Sequence, residues 1–262
     1  MKKRFFSKGW CRFSYDPNLA EWVNQSLSAA RSAVKIPENA HWLRCGKTWF
    51  AGVNTLHNDS NGAVENGPRL TGVALDFIRR ALGKSEIAWD HGQLSVCYPG
   101  YPRPMESESE AAFQYRLRRD AAHVDGLLPE GRSRCRHLRE HHAFILGIPM
   151  VDYHPDAAPF VIWERSHELV REGFHIRLEG IPPEQWGDID LTDLYHHTRR
   201  KIFSRCKRVE VVAKPGEAYL VHRLALHGMA PWRAPATVSP DGRLICYFRP
   251  QLEGPLNWLT DV

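Results

Sequence analysis

Two short stretches, far apart in the chain, carry side chains that could bind a metal ion. Residues 122–126 read AHVDG and contain His123 and Asp125, and residues 226–228 read LHG and contain His227. Alternate residues of a β-strand point to the same face, so His123 and Asp125 would form a pair that His227, from a later strand, completes. Two imidazoles and one carboxylate leave open coordination positions and suit Fe(II) in oxygen chemistry, although Zn or Mn would accept the same atoms.

The surroundings of the motif select this pair, because His-x-Asp alone is a weak signal. A chain with 14 histidines is expected to contain about one such spacing by chance, and this chain contains three. The spacing at 57–59 opens a run of turn-forming residues, and the spacing at 154–156 has Pro155 at its centre, which a central strand tolerates poorly. The pair at 123–125 follows a strand-like run and precedes Gly126, so we expect it at a strand end.

His227 is the expected third ligand, in preference to His222 five residues earlier. An apolar run ends at His227 and Gly228, which places His227 at a predicted strand end as well. We interpret His222 as a buried histidine that supports the site.

An arginine after the last ligand could hold a cosubstrate. A 2-oxo acid that chelates the metal would need a cation at its far carboxylate, and the planar fork of arginine provides one. Arg243, at the start of the next predicted strand, is the favoured candidate, while Arg233 lies in the intervening loop and Arg249 at the far end of that strand. Gln93 and Tyr98, on the strand before the motif, are further predicted donors to the site.

The elements that must position these residues are mainly short strands. Apolar residues at helical spacing predict helices at 19–34 and 68–82, with an extended segment at 41–53. Runs separated by Gly and Pro predict eight strands, at 93–98, 113–124, 142–151, 158–164, 173–179, 208–213, 217–224 and 243–249. We therefore expect a mainly β single domain over 1–262. It would have a helical and extended N-terminal layer at 1–85 and a jelly-roll core at 86–253, with a helical insertion near 190–203.

Composition narrows the class of protein and its compartment. The formal charge of +5 and the pI near 8.9 suit anionic ligands but fall short of a dense basic footprint, so nucleic acid is not the expected partner. The six cysteines are scattered singly, which predicts a reduced, cytoplasmic protein. No segment reads as a membrane span.

Taken together, these stretches resemble the phytanoyl-CoA dioxygenase family of Fe(II)/2-oxoglutarate oxygenases. The resemblance rests on His123-x-Asp125, on PGEAYLVH at 215–222 leading to the His-Gly at 227–228, and on GRLICYF at 242–248. The segment DAAPFVIWERSH at 156–167 resembles a family stretch that ends in Pro-Gly-Ser-His, with Glu and Arg in place of Pro and Gly. The resemblance covers roughly residues 90 to 250.

The resemblance implies a fold, cofactors and an activity. The fold would be the double-stranded β-helix, a cupin-like jelly roll with flanking helices. His123, Asp125 and His227 would bind iron, Arg243 would hold the C5 carboxylate of 2-oxoglutarate, and molecular oxygen would be the oxidant. Related halogenases lack the metal-binding carboxylate, so the presence of Asp125 favours hydroxylation.

The substrate is the least determined part of the prediction. We expect a small molecule, and the arginines of a predicted loop at 132–139, which include Arg139, favour an anionic one. Trp49, Trp163 and Trp232 are candidate walls of an apolar substrate pocket. Two alternatives stay open: a 2-oxoglutarate oxygenase that acts on a protein or nucleic acid, and a cupin-like metal-binding module without oxygenase activity.

Overall fold

A computed structural model describes residues 1–83, 87–106, 108–239 and 242–260. Twelve strands lie within these ranges: β1 (Trp10–Phe13), β2 (Leu43–Arg44), β3 (Trp49–Leu56), β4 (Gly92–Cys97), β5 (Leu127–Glu130), β6 (Cys135–Leu138), β7 (Phe144–Pro149), β8 (Phe160–Trp163), β9 (Arg208–Val211), β10 (Ala218–His222), β11 (His227–Met229) and β12 (Arg243–Phe248). Seven α-helices accompany them: α1 (Lys2–Lys8), α2 (Pro17–Lys35), α3 (Val73–Ala81), α4 (Glu110–Arg118), α5 (Ser166–Leu178), α6 (Thr192–Arg205) and α7 (Pro255–Thr260).

Two antiparallel sheets form the centre of the molecule. The large sheet has the strand order β1-β10-β7-β12-β4-β3-β2, and the small sheet has the order β11-β8-β9. Strands β5 and β6 form a separate hairpin. The non-consecutive neighbours in the large sheet show that the chain passes repeatedly between the sheets, as a jelly roll requires.

A buried cluster between the two sheets joins them face to face. It contains Ile145 of β7, Val221 of β10 and Ile245 of β12 from the large sheet, and Phe160 and Ile162 of β8 from the small sheet. Because side chains alternate along a strand, the residues between these positions point to the outer face of the large sheet. Those outer residues are apolar too, so the central strands read as continuous apolar runs.

Helices cover the outer face of the large sheet. The predicted first helix is confirmed as α2, which buries Leu19, Trp22 and Val23 in the same cluster as the outer residues of the sheet. Asp16 caps α2 by accepting a hydrogen bond from the backbone N–H of Asn18 at 2.9 Å. The other oxygen of Asp16 accepts from the N–H of Val73, at the start of α3, so one carboxylate joins both helix starts.

The N-terminal 85 residues contribute more than the predicted layer. Strands β1, β2 and β3 belong to the large sheet, with β1 at one edge and β2 at the other. The boundary expected near residue 86 therefore does not separate the helical part from the sheet. The signal was present in the alternating, aromatic segment at 41–53, but its partner strand lies about 45 residues further along the chain.

Two predicted strands were wrong and form helices. The run at 113–124 overlaps α4, whose N-cap Ser109 accepts a hydrogen bond from the N–H of Ala112 at 3.3 Å. The run at 173–179 overlaps α5, where Phe174 and Leu178 continue a spacing of four residues from Val170. In both runs an apparent alternation of apolar and polar residues hid a helical period.

Other predicted elements are confirmed, with one further correction. The insertion expected near 190–203 is α6, and the six remaining strand predictions correspond to β4, β7, β8, β9, β10 and β12. The arginine-containing segment at 132–139, expected as a loop, forms the turn and second strand of the β5–β6 hairpin. All six cysteines are free thiols. Among the described helices, none has the length and apolar character needed to cross a bilayer.

Candidate metal centre

The three predicted ligands converge on one point. Suitable ligand atoms of His123, Asp125 and His227 lie within 4.8 Å of one another. Asp125 Oδ1 is 3.2 Å from His123 Nε2 and 3.6 Å from His227 Nε2. The side chains of Asp125 and His227 are largely buried, whereas that of His123 is 47% exposed. The centre is therefore open to solvent on the side of His123.

A backbone bridge brings the two histidines together. His123 N–H donates to His227 O at 2.8 Å, and His227 N–H donates to His123 O at 3.0 Å. Directly opposed residues of an antiparallel pair place their side chains on the same face, and here the ring centroids are 4.5 Å apart. His123 lies outside a continuous strand, contrary to the prediction, but this isolated bridge aligns it as a strand would.

Backbone carbonyls fix the proton on each imidazole. His123 Nδ1 lies 3.0 Å from Ala121 O, and His227 Nδ1 lies 2.9 Å from Ala225 O. A carbonyl can only accept, so each Nδ1 donates to its carbonyl and each Nε2 is directed at the centre, where the neutral ring offers its lone pair to a metal ion. Two Nε2 atoms and one carboxylate oxygen thus face one another, which is an arrangement that can ligate a cation.

The carboxylate is held in its anionic form. Burial by itself would raise the pKa of Asp125, but Arg249 and His227 hold that pKa well below its usual value. Arg249 Nη1 lies 3.2 Å from Asp125 Oδ2, the oxygen that faces away from the closer contacts with the imidazoles. Asp125 is therefore an ionised ligand oriented through its second oxygen.

The loop that carries His123 is anchored to β9 and β11, the two edge strands of the small sheet. Asp120 accepts two hydrogen bonds from the guanidinium of Arg208 on β9, both at 2.8 Å. Its carbonyl accepts from the N–H of Met229 on β11 at 2.7 Å. A Cβ on Gly228 would lie 2.2 Å from that carbonyl, which explains why glycine follows His227 in the sequence.

A cavity of about 120 Å³ adjoins the three ligands. Its walls come from the inner face of the large sheet and from the small sheet, and they include Trp49, Gln93, Ser95, Tyr101, Phe160, Met229, Tyr247 and Arg249. The ring of Phe160 stacks on His227 with a centroid distance of 5.5 Å. The cavity is thus mainly apolar and aromatic, with the triad on one side.

A buried arginine lies behind Met229, one wall of this cavity. The side chain of Arg243 is fully buried, and its Nη2 lies 2.7 Å from the sulfur of Met229. His227 and Met229 are two residues apart on β11 and so share a face, which puts the thioether that contacts Arg243 on the same side of the strand as His227. Within the described part of the chain, Nε and Nη1 of Arg243 have no hydrogen-bond partner, and Arg243 has no carboxylate within 4.0 Å.

Two further polar atoms near the cavity also lack partners. The hydroxyl of Tyr101 and Oε1 of Gln93 are buried without a hydrogen bond to any described residue. A buried cation without a counter-ion and a buried hydroxyl without an acceptor each cost free energy. An anionic ligand that reaches Arg243 and Tyr101 would satisfy both groups.

The structure brings some of the other predicted residues to the site and not others. Gln93 lines the cavity, because Gln93, Ser95 and Cys97 share the inner face of β4. Tyr98, the residue after β4, points to the outer face of the sheet and lines a separate cavity beside Arg31 of α2. Tyr101, which sequence reasoning missed, lies on the inner side instead, after a turn that strand alternation cannot predict.

The predicted substrate residues are scattered. Arg139 lies on the surface hairpin and forms an ion pair with Glu130. Trp163 is 3% exposed and packs against Phe203 in the core, so it forms no wall of the cavity. Trp232 lies nearer the cavity. Its backbone N–H donates to Tyr101 O at 2.8 Å, and its ring packs in the cluster that contains Met229.

His222 is buried as expected, but it does not touch the triad. Its Nε2 lies 3.0 Å from Arg171, and its ring lies 4.8 Å from that of His167. Burial, and then the nearby His167, Arg223 and Arg171, lower the pKa of His222 well below its usual value.

Comparison with known proteins places the fold. No protein-family model and no curated protein matches the chain. The non-heme alpha ketoglutarate dependent epimerase SnoN from nogalamycin biosynthesis is similar in structure, with 14% identity and a TM-score of 0.55 over 95% of this chain and 81% of SnoN. The carbocyclase SnoK from the same biosynthesis has 14% identity and a TM-score of 0.52 over 95% of this chain and 82% of SnoK.

A second structure of SnoN was determined in complex with Fe3+, alpha ketoglutarate and nogalamycin RO. It is 15% identical, with a TM-score of 0.54 over 95% of this chain and 81% of SnoN. At such identities the similarity establishes the fold alone. The expectation of mainly antiparallel sheets with flanking helices is therefore confirmed, and the arrangement is similar to that of SnoN and SnoK.

Proposed function

We propose that the protein is an Fe(II)- and 2-oxoglutarate-dependent dioxygenase that hydroxylates a small molecule, with residues 1–262 acting as one oxygenase unit. The observation that carries the proposal is that a possible metal site and a buried arginine without a carboxylate partner among the described residues lie close to the same cavity. Three possible metal ligands converge, and a fully buried guanidinium that has no carboxylate partner among the described residues contacts Met229, a wall of the same cavity. The fold shared with SnoN and SnoK supports this function.

Each residue has a distinct role in the proposed centre. His123, Asp125 and His227 would hold iron, the geometry of a two-histidine, one-carboxylate site. Arg243 would bind the far carboxylate of 2-oxoglutarate through its planar fork, assisted by the hydroxyl of Tyr101. When bound, iron and 2-oxoglutarate would supply the activation of molecular oxygen needed to oxidise a C–H bond.

The protein's own part is orientation and shielding. Ala121 O and Ala225 O keep the Nε2 lone pairs of the histidines directed at the centre, and Arg249 keeps Asp125 ionised. The aromatic walls, including Phe160 and Tyr247, limit the access of water on the inner side, while the exposed face of His123 leaves an entrance for the substrate.

The proposal is tested by titrating the metal and the cosubstrate separately. We expect Mn(II) to bind the wild-type protein, and 2-oxoglutarate to bind the Mn(II) form in calorimetry. Asp125→Ala should abolish metal binding. Arg243→Gln should leave metal binding intact and weaken 2-oxoglutarate binding at least about tenfold, because a charge-assisted pair is lost.

Arg233→Gln is the matched control for this titration, since Arg233 forms surface ion pairs with Asp156 and Glu210. It should bind both ligands as the wild type does. Metal binding without 2-oxoglutarate binding in the wild type would instead indicate a metal-binding module that is not a 2-oxoglutarate oxygenase. Unchanged metal affinity in Asp125→Ala would contradict the assignment of the ligands.

A further inference from the structure

Arginine and aromatic side chains contact one another in a continuous row along the surface formed by α4, β6 and α6. We call this set the arginine–aromatic ladder, and its members in order are Arg136, Tyr195, Arg199, Tyr115, Phe203 and Arg119. The guanidinium carbon of Arg199 lies 4.4 Å from the ring centre of Tyr115 and 5.1 Å from that of Tyr195. The guanidinium carbon of Arg136, on β6, lies 5.5 Å from the ring centre of Tyr195, and that of Arg119 lies 4.7 Å from the ring centre of Phe203.

The three guanidiniums of the ladder differ from neighbouring arginines, because they form no ion pair with any residue that the structure describes. Nearby arginines do, since Arg116 pairs with Glu108 and Arg139 pairs with Glu130. Across the described ranges, Arg119, Arg136 and Arg199 have no carboxylate within 4.0 Å. A guanidinium that stacks on a ring through its face keeps its N–H groups in the plane, where they point away from the ring.

Most N–H groups of the three ladder guanidiniums donate to no acceptor among the described residues. Arg136 donates one hydrogen bond, to Leu127 O at 3.0 Å. Arg119 and Arg199 donate none to a described residue through their side chains. Fixed, partly desolvated donors of one charge are therefore concentrated on this surface.

The positive charges in this region act on one another. Burial lowers the pKa of Arg136, the neighbouring Tyr195 opposes that effect, and Arg134 and Arg199 lower it further. Burial also lowers the pKa of His196 on α6, followed by the effects of Arg199, Arg136 and Arg200. The carboxylate of Asp190 accepts hydrogen bonds from the N–H and hydroxyl of Thr192, and among the described residues it forms no ion pair with an arginine of the ladder.

We propose that the arginine–aromatic ladder is a binding site for the phosphate group of a small-molecule ligand. Arginine forks match the oxygens of phosphate, and several of them on one surface suit a group of more than one negative charge. Single-stranded nucleic acid is a poorer match, because it needs free aromatic faces for base stacking, whereas Arg199 already occupies the space between Tyr115 and Tyr195.

The ladder is joined directly to the loop of the metal centre. The hydroxyl of Tyr115 donates to Ala122 O at 2.8 Å, and the N–H of Ala122 donates to Arg119 O at 2.8 Å. Ala122 immediately precedes His123. A phosphate-bearing ligand would thus be held beside this loop, and its binding stands independently of the proposed metal chemistry.

The test is calorimetric titration of the metal-free protein with inorganic pyrophosphate. We expect binding, weakened about tenfold in Arg199→Gln and in Arg136→Gln, because each loses charge-assisted hydrogen bonds. Arg177→Gln removes an exposed charge on α5 and should bind as the wild type does. Arg199→Lys keeps the charge but not the planar fork and should also lose affinity, which provides a measurement if Arg199→Gln fails to fold.

Three outcomes would overturn the proposal. They are the absence of pyrophosphate binding, equal affinity in the wild type and in both ladder variants, and tighter binding of a single-stranded DNA oligonucleotide than of pyrophosphate. The last result would assign the ladder to nucleic acid.

Discussion

The metal centre depends on the hydrogen-bonding state of individual atoms rather than on the residue types alone. His123 and His227 each donate from Nδ1 to the carbonyl two residues earlier in the chain. This repeated local contact orients both rings, so that the two Nε2 atoms are directed at an ionised Asp125 and can ligate a metal ion with it. The preference for a cation therefore follows from three acceptors at short mutual distances.

Arg249 is expected to position Asp125. Arg249→Gln removes the partner of Asp125 Oδ2 and should weaken Mn(II) binding about tenfold, within the range found for groups that orient metal ligands. Arg249→Lys should retain most of the affinity because it keeps a cation at this position. Mn(II) titration of the two variants is the measurement, and equal affinity of Arg249→Gln and the wild type would exclude this role.

Tyr101 and Tyr98 provide a matched pair for the cosubstrate pocket. Tyr101→Phe removes a buried hydroxyl that has no partner in the described structure, and we expect it to weaken 2-oxoglutarate binding about tenfold. Tyr98→Phe alters the opposite side of the sheet and should have no effect. Calorimetry on the Mn(II) forms compares the two, and the reverse order of effects would restore the original prediction for Tyr98.

At the scale of elements, strand alternation decides which side chains reach the site. Arg243, Ile245 and Tyr247 of β12 form one inner row, which Arg249 continues just after the strand. Gln93 and Ser95 of β4 form the adjacent row. The register pairs Arg243 with Cys97 and Tyr247 with Gln93. Residues near Arg243 in the sequence do not determine which strand pairs with β12. The sequence could therefore predict Arg243 as a candidate, but not which other side chains lie beside it.

The sequence predicted which three side chains converge better than it predicted the elements that carry them. The motif at 123–125, the His-Gly at 227–228 and the basic residue opening β12 are short local signals. In contrast, the run that was expected to bring His123 to the site as a strand is α4, and the alignment of His123 comes from a single bridge to His227. That contact joins residues about 100 positions apart, which local periodicity cannot reveal.

Gly228 tests the importance of this bridge. A methyl group at Gly228 would meet Asp120 O at 2.2 Å, so Gly228→Ala should separate the loop from β11 and destabilise the fold by about 2 kcal/mol. We expect a lower melting temperature and weaker Mn(II) binding. Gly254→Ala is the control, since its Cβ would meet nothing within 4 Å. If Gly228→Ala matched that control in both measurements, the bridge would not be needed for the site.

At the scale of the whole molecule, the two-sheet core and its helical cover are joined by buried polar groups that depend on pH. His222 at the end of β10 lies between Arg171 of α5 and the N–H of Leu224, so both of its ring nitrogens face donors. The neighbouring His167 donates to Phe6 O of α1 at 2.9 Å. Protonation of His222 would place an additional charge in this buried contact between helices and sheet.

Stability should therefore fall as the pH falls below the pKa of an unfolded histidine. The pKa of His222 is lowered by burial and by nearby His167, so the unfolded chain binds the proton first and folding loses up to about 1.4 kcal/mol per pH unit for this group. Denaturant unfolding at pH 7.5 and 5.5 measures the difference. His222→Gln should reduce it, and the exposed His175→Gln should not; an unchanged difference in His222→Gln would contradict the account.

The central claim is that one cavity holds both a metal ion and a 2-oxo acid. A crystal structure of the protein with Mn(II) and 2-oxoglutarate, grown without oxygen, tests it most directly. We predict metal density in contact with His123 Nε2, Asp125 Oδ1 and His227 Nε2, and a carboxylate of 2-oxoglutarate at Arg243. Metal density away from these three atoms, or 2-oxoglutarate bound elsewhere than between the metal and Arg243, would contradict it.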